Sequence, residues 1–476
     1  MIIASMRYFI IAILIFRSAN WAFDYFGLSC FEQLIYHLKV PLKGTNTTFL
    51  FDWIKSCGLP GVLVGALCAF VYGSIHFPGL WFAKGILYLS IIYGLFHIGF
   101  FGFVLNLFRT SQLYERYFAD PVNVKPIPPA KPKNLIHIYL ESMETTYANK
   151  ADGGDSVENL IPTLTRLAKN HVSFSNTEAL GGNAVLSGTG WTTGGIVASE
   201  SGAPLLFPLT QPFIRKNTPF CPGLTSLGDL LYSQGYQQVY MIGSDSDFGG
   251  RDSYYRQHGN FEIIDTKWIK AHGKLPKSYH KFWGFEDDKL FSFAKDEISK
   301  LAKDDKPFHL SLLTVDTHHP RGYQGPSTQA VSKHGLSNSI HHTDVLIADF
   351  IDWLKSMPFY EDTVVVIQGD HTSMAAEYIR KNYDSDYDRR VYNCFIHAQG
   401  IQDVKDPVFK NRKFTTFDYF PTILHALGWT IPGNHLGLGT DLFSGASTVA
   451  ETIGYKRFDK ALRKQSKYYK DRILKS

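Results

Sequence analysis

Thr363-Val364-Val365-Val366-Ile367-Gln368-Gly369-Asp370-His371-Thr372 is the stretch on which the fold turns. It opens with five β-branched residues in a row and no polar alternation. That is the composition of a strand buried on both faces, as in a parallel sheet covered by helices. The run breaks at Gly369 and then delivers a carboxylate and an imidazole, two ligand types for a divalent metal. Outward from here, short apolar runs alternate with amphipathic ones from residue 134 on. Strands are expected at 135–140, 238–242 and 310–315, and helices at 157–167, 290–301, 345–354 and 417–427. Such alternation predicts an α/β domain with a mainly parallel sheet flanked by helices. In sheets of that kind, sites form at the carboxyl ends of the strands.

Three of the expected strands end in chemistry. The 135–140 run ends in Glu141-Ser142, the 310–315 run in Asp316-Thr317-His318-His319-Pro320, and the opening stretch in Asp370-His371. Each has an ordinary reading as a helix cap, a surface histidine pair or a turn; their coincidence points to a site. A second stretch, Ser187-Gly188-Thr189-Gly190-Trp191-Thr192-Thr193-Gly194-Gly195, precedes an apolar, helix-capable run. Glycines allow close backbone approach, and a helix start leaves free N–H groups for an anion. The Gly-Lys-Ser/Thr ending of a nucleotide P-loop is missing. Thr192 is the expected nucleophile. A threonine hydroxyl is inert at neutral pH until coordination lowers its pKa. Glu141, Thr192, Asp370 and His371 make the mixed oxygen and nitrogen ligand set expected for Mn²⁺, Mg²⁺ or Zn²⁺. Arg251 follows the 238–242 strand, where a guanidinium can hold two phosphate oxygens, or else pair with Asp247 or Asp252. His318 is placed to donate to a phosphate oxygen or to a leaving alkoxide.

The first 108 residues read as a membrane region. Residues 56–83 and 85–108 lack charged side chains, long enough for spans at about 58–80 and 85–108, with Pro60 and Pro78 marking the ends of the first. The apolar run 8–16 lies between Arg7 and Arg17 and is too short alone; extended to residue 23 it makes a span, and otherwise a signal-like segment. Residues 24–52 look loop-like. Residues 109–133 read as a proline-rich connector that stiffens the link to the domain. Net charge is +5, and residues 456–476 hold nine Lys or Arg against two Asp, a surplus of +7 that leaves −2 elsewhere. Basic residues confined to a tail at 446–476 speak against nucleic acid and for either a solvated terminus or contact with anionic lipid. Five cysteines include no CxxC pair, which excludes a zinc cluster of that kind and leaves a Cys221–Cys394 disulfide open.

At Leu140-Glu141-Ser142, Trp191-Thr192, Phe248 through Arg251, Thr317-His318-His319-Pro320 and Gly369-Asp370-His371, the chain resembles the lipoteichoic acid synthase and phosphoglycerol transferase family. The resemblance covers about 134–445 and the layout of membrane helices before a catalytic domain. It implies a sulfatase-like fold of the alkaline phosphatase superfamily. It implies one Mn²⁺- or Mg²⁺-like ion on Glu141, Thr192, Asp370 and His371, with Arg251 and His318 on substrate. It also implies phosphatidylglycerol as donor, a glycan or polyglycerol-phosphate acceptor and diacylglycerol as leaving product. The expected place is a bacterial inner membrane, multi-pass, with the domain on the outer face. The details around Thr192 and His-His-Pro are more similar to the branch that decorates periplasmic glucans. Gly249 stands where polymer-making members carry tryptophan. A sulfatase reading lacks its C/S-x-P-x-R motif here. A phosphoethanolamine transferase would carry more cysteines. A non-catalytic binding protein would not keep four competent ligand types.

Overall fold

In the computed structural model, residues 2–26, 31–40, 48–75, 79–215, 218–400 and 409–475 are described. The chain opens with α1 (Ile2–Phe26) and α2 (Phe31–Lys39). Ile3–Tyr25 and Phe49–Ser74 are long and apolar enough to cross a membrane. A third candidate is a bent pair, Trp81–His97 and Phe100–Leu107, at 64°. The 85–108 run is therefore broken rather than straight: Gly99 between its halves has φ +79°, a left-handed conformation that ends a helix. Pro60 does not end a span either. It lies at the start of the Leu59–Ser74 helix, just after a π-helical turn at Ile54–Gly58 that carries the apolar helix through. Pro78 lies outside the described residues. Residues 24–52 contain a helix, α2, whose Ile35 and Tyr36 are buried.

The main sheet has six strands: β1 (Asn134–Leu140), β2 (Gln237–Ile242), β3 (Glu262–Ile264), β4 (Phe308–Leu313), β5 (Thr363–Gly369) and β6 (Asn393–Ile396). Their order is β3-β2-β4-β1-β5-β6, parallel except for β6. Both faces are buried. Ile136, Ile138, Leu140, Leu310, Leu312, Val365 and Ile367 pack into one core layer with the Asp287–Leu301 and Gly335–Lys355 helices. Val364, Val366 and Leu135 face the opposite layer with the Tyr419–Ala426 helix. At roughly 25 cal/mol per Å² of apolar surface, this double burial is what favours a sheet so rich in β-branched residues. The expected helix at 157–167 forms instead at Pro162–Asn170, because proline is well tolerated at a first helical turn and not beyond it.

Both presumed appendages belong to the domain. The connector lies on its surface: Ala119 pairs with Gly437 and Ile127 with Thr430, and Leu113 and Tyr114 are buried. The basic C-terminal stretch buries Phe458, Leu462, Tyr469, Ile473 and Leu474, while Lys467, Lys470, Arg472 and Lys475 stay exposed. Cys221 and Cys394 are free and sit in different core layers.

Candidate active site

Parallel register builds the site. Leu140 of β1 pairs with Gly369 of β5, so Glu141 and Asp370 leave adjacent strands side by side. Main-chain and side-chain bonds then fix each group. The Glu141 N–H donates to Thr314 Oγ1 (2.9 Å), and Thr317 Oγ1 donates to the Glu141 carbonyl (2.5 Å). Asp370 Oδ1 accepts from the N–H groups of Ser142 and His371, both at 2.8 Å. Its Oδ2 is buried without a hydrogen-bond partner among the described residues. The His371 Nδ1 lies 2.8 Å from the Thr372 carbonyl, which fixes the ring and turns Nε2 towards the carboxylates, 3.3 Å from Asp370 Oδ2.

Thr192 is brought to the same point. It begins the Thr192–Ser201 helix, with Trp191 extended before it. Thr192 Oγ1 lies 3.3 Å from Glu141 Oε2 and 3.4 Å from His371 Nε2. The helix can come this close only because Gly195 has no side chain: a Cβ there would sit 2.1 Å from the Asp370 carbonyl oxygen. The ligand atoms of Glu141, Asp370 and His371 all lie within 4.8 Å of one another. Burial pushes the Asp370 carboxyl up to about 7, and the charge on Glu141 adds to the push. Burial opposes ionisation of Glu141 too, yet the His318 and His371 rings hold its carboxyl below the usual value. Two buried carboxylates and a fixed imidazole, their ligand atoms turned towards one point, are a donor set that a divalent cation fits.

The two substrate candidates flank this centre. Arg251 is buried; its Nη2 donates to the Asp245 carbonyl (3.0 Å) and Ser244 Oγ (3.3 Å), and its guanidinium lies over the Phe248 ring. Asp245 and Asp247 are paired with Lys267 instead. Arg251 Nε is buried without a partner among the described residues, a donor left for an anion. His318 Nδ1 lies 2.9 Å from the His319 carbonyl, so its Nε2 is the free nitrogen, and burial lowers its pKa. The sequence reading missed Trp283. Its ring packs against His318 (4.7 Å) and Phe248 (5.3 Å), forming an aromatic wall beside the centre. An aromatic cluster at 282–285 was its only signal, and clusters like that are usually core.

The Sulfatase family profile matches residues 133–429. The chain belongs to the sulfatase family. Phosphoglycerol transferase I of Salmonella choleraesuis (strain SC-B67) is 32% identical over 346 residues, covering 70% of this chain and 41% of that protein. The chain thus spans well under two thirds of the length of the curated relatives it matches. Two solved structures share the fold. The lipoteichoic acid synthase LtaP of Listeria monocytogenes is 21% identical, with TM-score 0.50 over 67% of this chain and 77% of that one. The lipooligosaccharide phosphoethanolamine transferase A of Neisseria meningitidis is 15% identical, with TM-score 0.52 over 92% and 87%. The likeness to those two structures is one of fold, and two N-terminal helices, Ile3–Tyr25 and Phe49–Ser74, are long and apolar enough to anchor the chain in a membrane.

Proposed function

We propose that this protein is a metal-dependent phosphoglycerol transferase working at the outer face of a bacterial inner membrane. It takes phosphoglycerol from phosphatidylglycerol, holds it as a phosphodiester on Thr192, and passes it to a glycan hydroxyl. The observation that carries this reading is the meeting of Thr192 Oγ1 with Glu141 and His371 at a helix start on the carboxyl edge of the sheet. The name of the relatives supports the group transferred.

Glu141, Asp370, His371 and Thr192 would hold one Mn²⁺ or Mg²⁺, which supplies charge neutralisation and a lowered threonine pKa. Free N–H groups at the start of the Thr192–Ser201 helix and the Arg251 guanidinium bind the phosphate oxygens. Thr192 Oγ1 attacks phosphorus; its bond to phosphorus forms as the bond to the diacylglycerol oxygen breaks. His318 Nε2 receives the threonine proton and returns it to that departing oxygen. In the second half the acceptor hydroxyl attacks, His318 takes its proton, and Thr192 is released with a proton restored.

The test is incubation of the detergent-solubilised protein with headgroup-labelled phosphatidylglycerol and a glucan. Label is expected on the glucan with Mn²⁺, on protein when the acceptor is omitted, and nowhere after chelation or in Thr192→Ala. Label that moves from phosphatidylethanolamine instead, or full transfer by Thr192→Ala, would overturn the proposal.

A further inference from the structure

The membrane region reaches into the catalytic centre. Tyr36 of α2 is fully buried, and its hydroxyl donates to the Gly249 carbonyl at 2.5 Å. The same carbonyl accepts from Thr193 Oγ1 at 3.1 Å. Gly249 therefore joins three elements by one oxygen: the membrane-region helix, the residue next to Thr192, and the loop that leads into Arg251. The backbone at this junction is unusual. Gly249 and Gly250 both have positive φ, +69° and +72°, and a Cβ on Gly249 would meet Thr193 Oγ1 at 3.0 Å. The Tyr36 ring also packs at 5.3 Å from Trp191, the residue before Thr192, and at 5.2 Å from Phe207. Further contacts hold the membrane region to the same face. The Ile214 N–H donates to the Lys39 carbonyl (2.7 Å), Arg380 pairs with Asp24 (2.8 Å), and the Tyr25 ring meets His319 edge-on.

We infer that Tyr36 is a positioning residue: its hydroxyl, through the Gly249 carbonyl, fixes the spacing between the Thr192 oxygen and the Arg251 guanidinium. This rests on the roles proposed above for those two residues. The three strand-borne groups, Glu141, Asp370 and His371, are held by other bonds and do not depend on it. Loss of the hydroxyl thus misplaces the nucleophile against the bound phosphate without loosening the metal ligands. Small misplacements of reacting groups cost far more in turnover than in binding.

The experiment uses the full chain in detergent with two substrates, labelled phosphatidylglycerol and a chromogenic aryl phosphodiester. Tyr36→Phe keeps the ring and removes the hydroxyl; Thr193→Val removes the other donor to Gly249. Each is expected to lower kcat per folded molecule about tenfold. KM and Mn²⁺ affinity should stay within about twofold, and the thermal midpoint should fall only by the few degrees that one lost buried hydrogen bond costs. The double variant should lose little more than either single one, because both act through one carbonyl. Wild-type kcat in Tyr36→Phe would overturn the inference. So would a loss that follows only a lower midpoint, or losses in the two variants that simply multiply. If the aryl diester is cleaved and behaves as expected while the lipid is untouched, the positioning role stands and the phosphatidylglycerol reading falls. Cleavage of neither substrate by the wild type overturns both.

Discussion

Arg251 shows how a residue's job follows from what its neighbours leave undone. Lys267 bridges Asp245 and Asp247, and main-chain and serine oxygens take Arg251 Nη2. Its Nε is then left buried without an acceptor among the described residues, and in the proposed role a phosphate would supply one in bidentate geometry. Arg251→Ala is expected to lower kcat/KM for the lipid donor by roughly 1.5–3 kcal/mol, the scale of a charged hydrogen bond. Arg251→Lys should recover only part, since an ammonium cannot present the parallel fork. Steady-state kinetics over donor concentration check this, and an unchanged kcat/KM in the alanine variant would remove Arg251 from the donor site. At this scale the sequence was informative. Glu141, Asp370 and His371 follow runs apolar enough to be read as strands, and the carboxyl-end rule points at them. Trp283 and Tyr36 were not legible, because an aromatic side chain in the sequence carries no mark of whether it faces a core or a site.

At the scale of the element, the Thr192–Ser201 helix has one polar end in the site and the other in the core. Glu200 near its C-terminus is fully buried and accepts from the hydroxyls of Tyr139 and Tyr255, both at 3.0 Å, and Tyr254 at 3.3 Å. Burial pushes its carboxyl from 4.5 up to about 7, although the three tyrosine bonds favour the ion. The native state therefore holds a proton that the unfolded state has given up between those two values. Stability from this group is whole below about 4.5 and is lost as pH rises towards 7. Glu200→Gln keeps the shape and cannot ionise. Its unfolding free energy should match the wild type near pH 4.5 and exceed it above pH 7 by on the order of 3 kcal/mol, and its thermal midpoint should move the same way. Other buried acids contribute equally to both proteins and cancel in the comparison. Parallel midpoint curves from pH 4.5 to 8.5 would show that Glu200 is ionised at no cost. The element types were readable from β-branched runs and amphipathic spacing. The boundaries were not, and Pro162 and Pro60 show why. Proline ends a helix when it falls inside one and starts or continues it when the preceding turn leaves no N–H to satisfy.

At the scale of the molecule, segments remote in sequence pack around the candidate site's domain from both the N-terminal and the C-terminal side. From the N-terminal side α2 inserts beside Trp191; from the C-terminal side the 455–474 stretch closes over Pro204, Leu206 and Gly223. The sequence concealed the second because its charge is conspicuous and its buried residues are few and widely spaced. Phe458, Leu462, Tyr469 and Ile473 recur at intervals of four or seven residues among nine cations, so composition reads as a solvated tail while spacing reads as a face. Tyr469 is the anchor. Its hydroxyl donates to the Pro204 carbonyl (2.7 Å) and accepts from the Leu206 N–H (3.1 Å), and its ring packs against Tyr114 from the connector. Gly223 fits beneath this strap without a side chain, since a Cβ there would meet the Arg472 carbonyl at 1.7 Å. Tyr469→Phe should destabilise the protein by about 1–3 kcal/mol by stranding two buried main-chain groups. Tyr469→Ala should cost about 4 kcal/mol, because a cavity is added where an aromatic ring was lost. Replacing exposed Lys467, Lys470 and Lys475 with glutamine should change stability by less than about 0.5 kcal/mol. Denaturant unfolding of the solubilised protein reads all three. If the alanine variant were as stable as the glutamine one, the segment would be a tail after all, and its cations, rather than its buried face, would be its contribution.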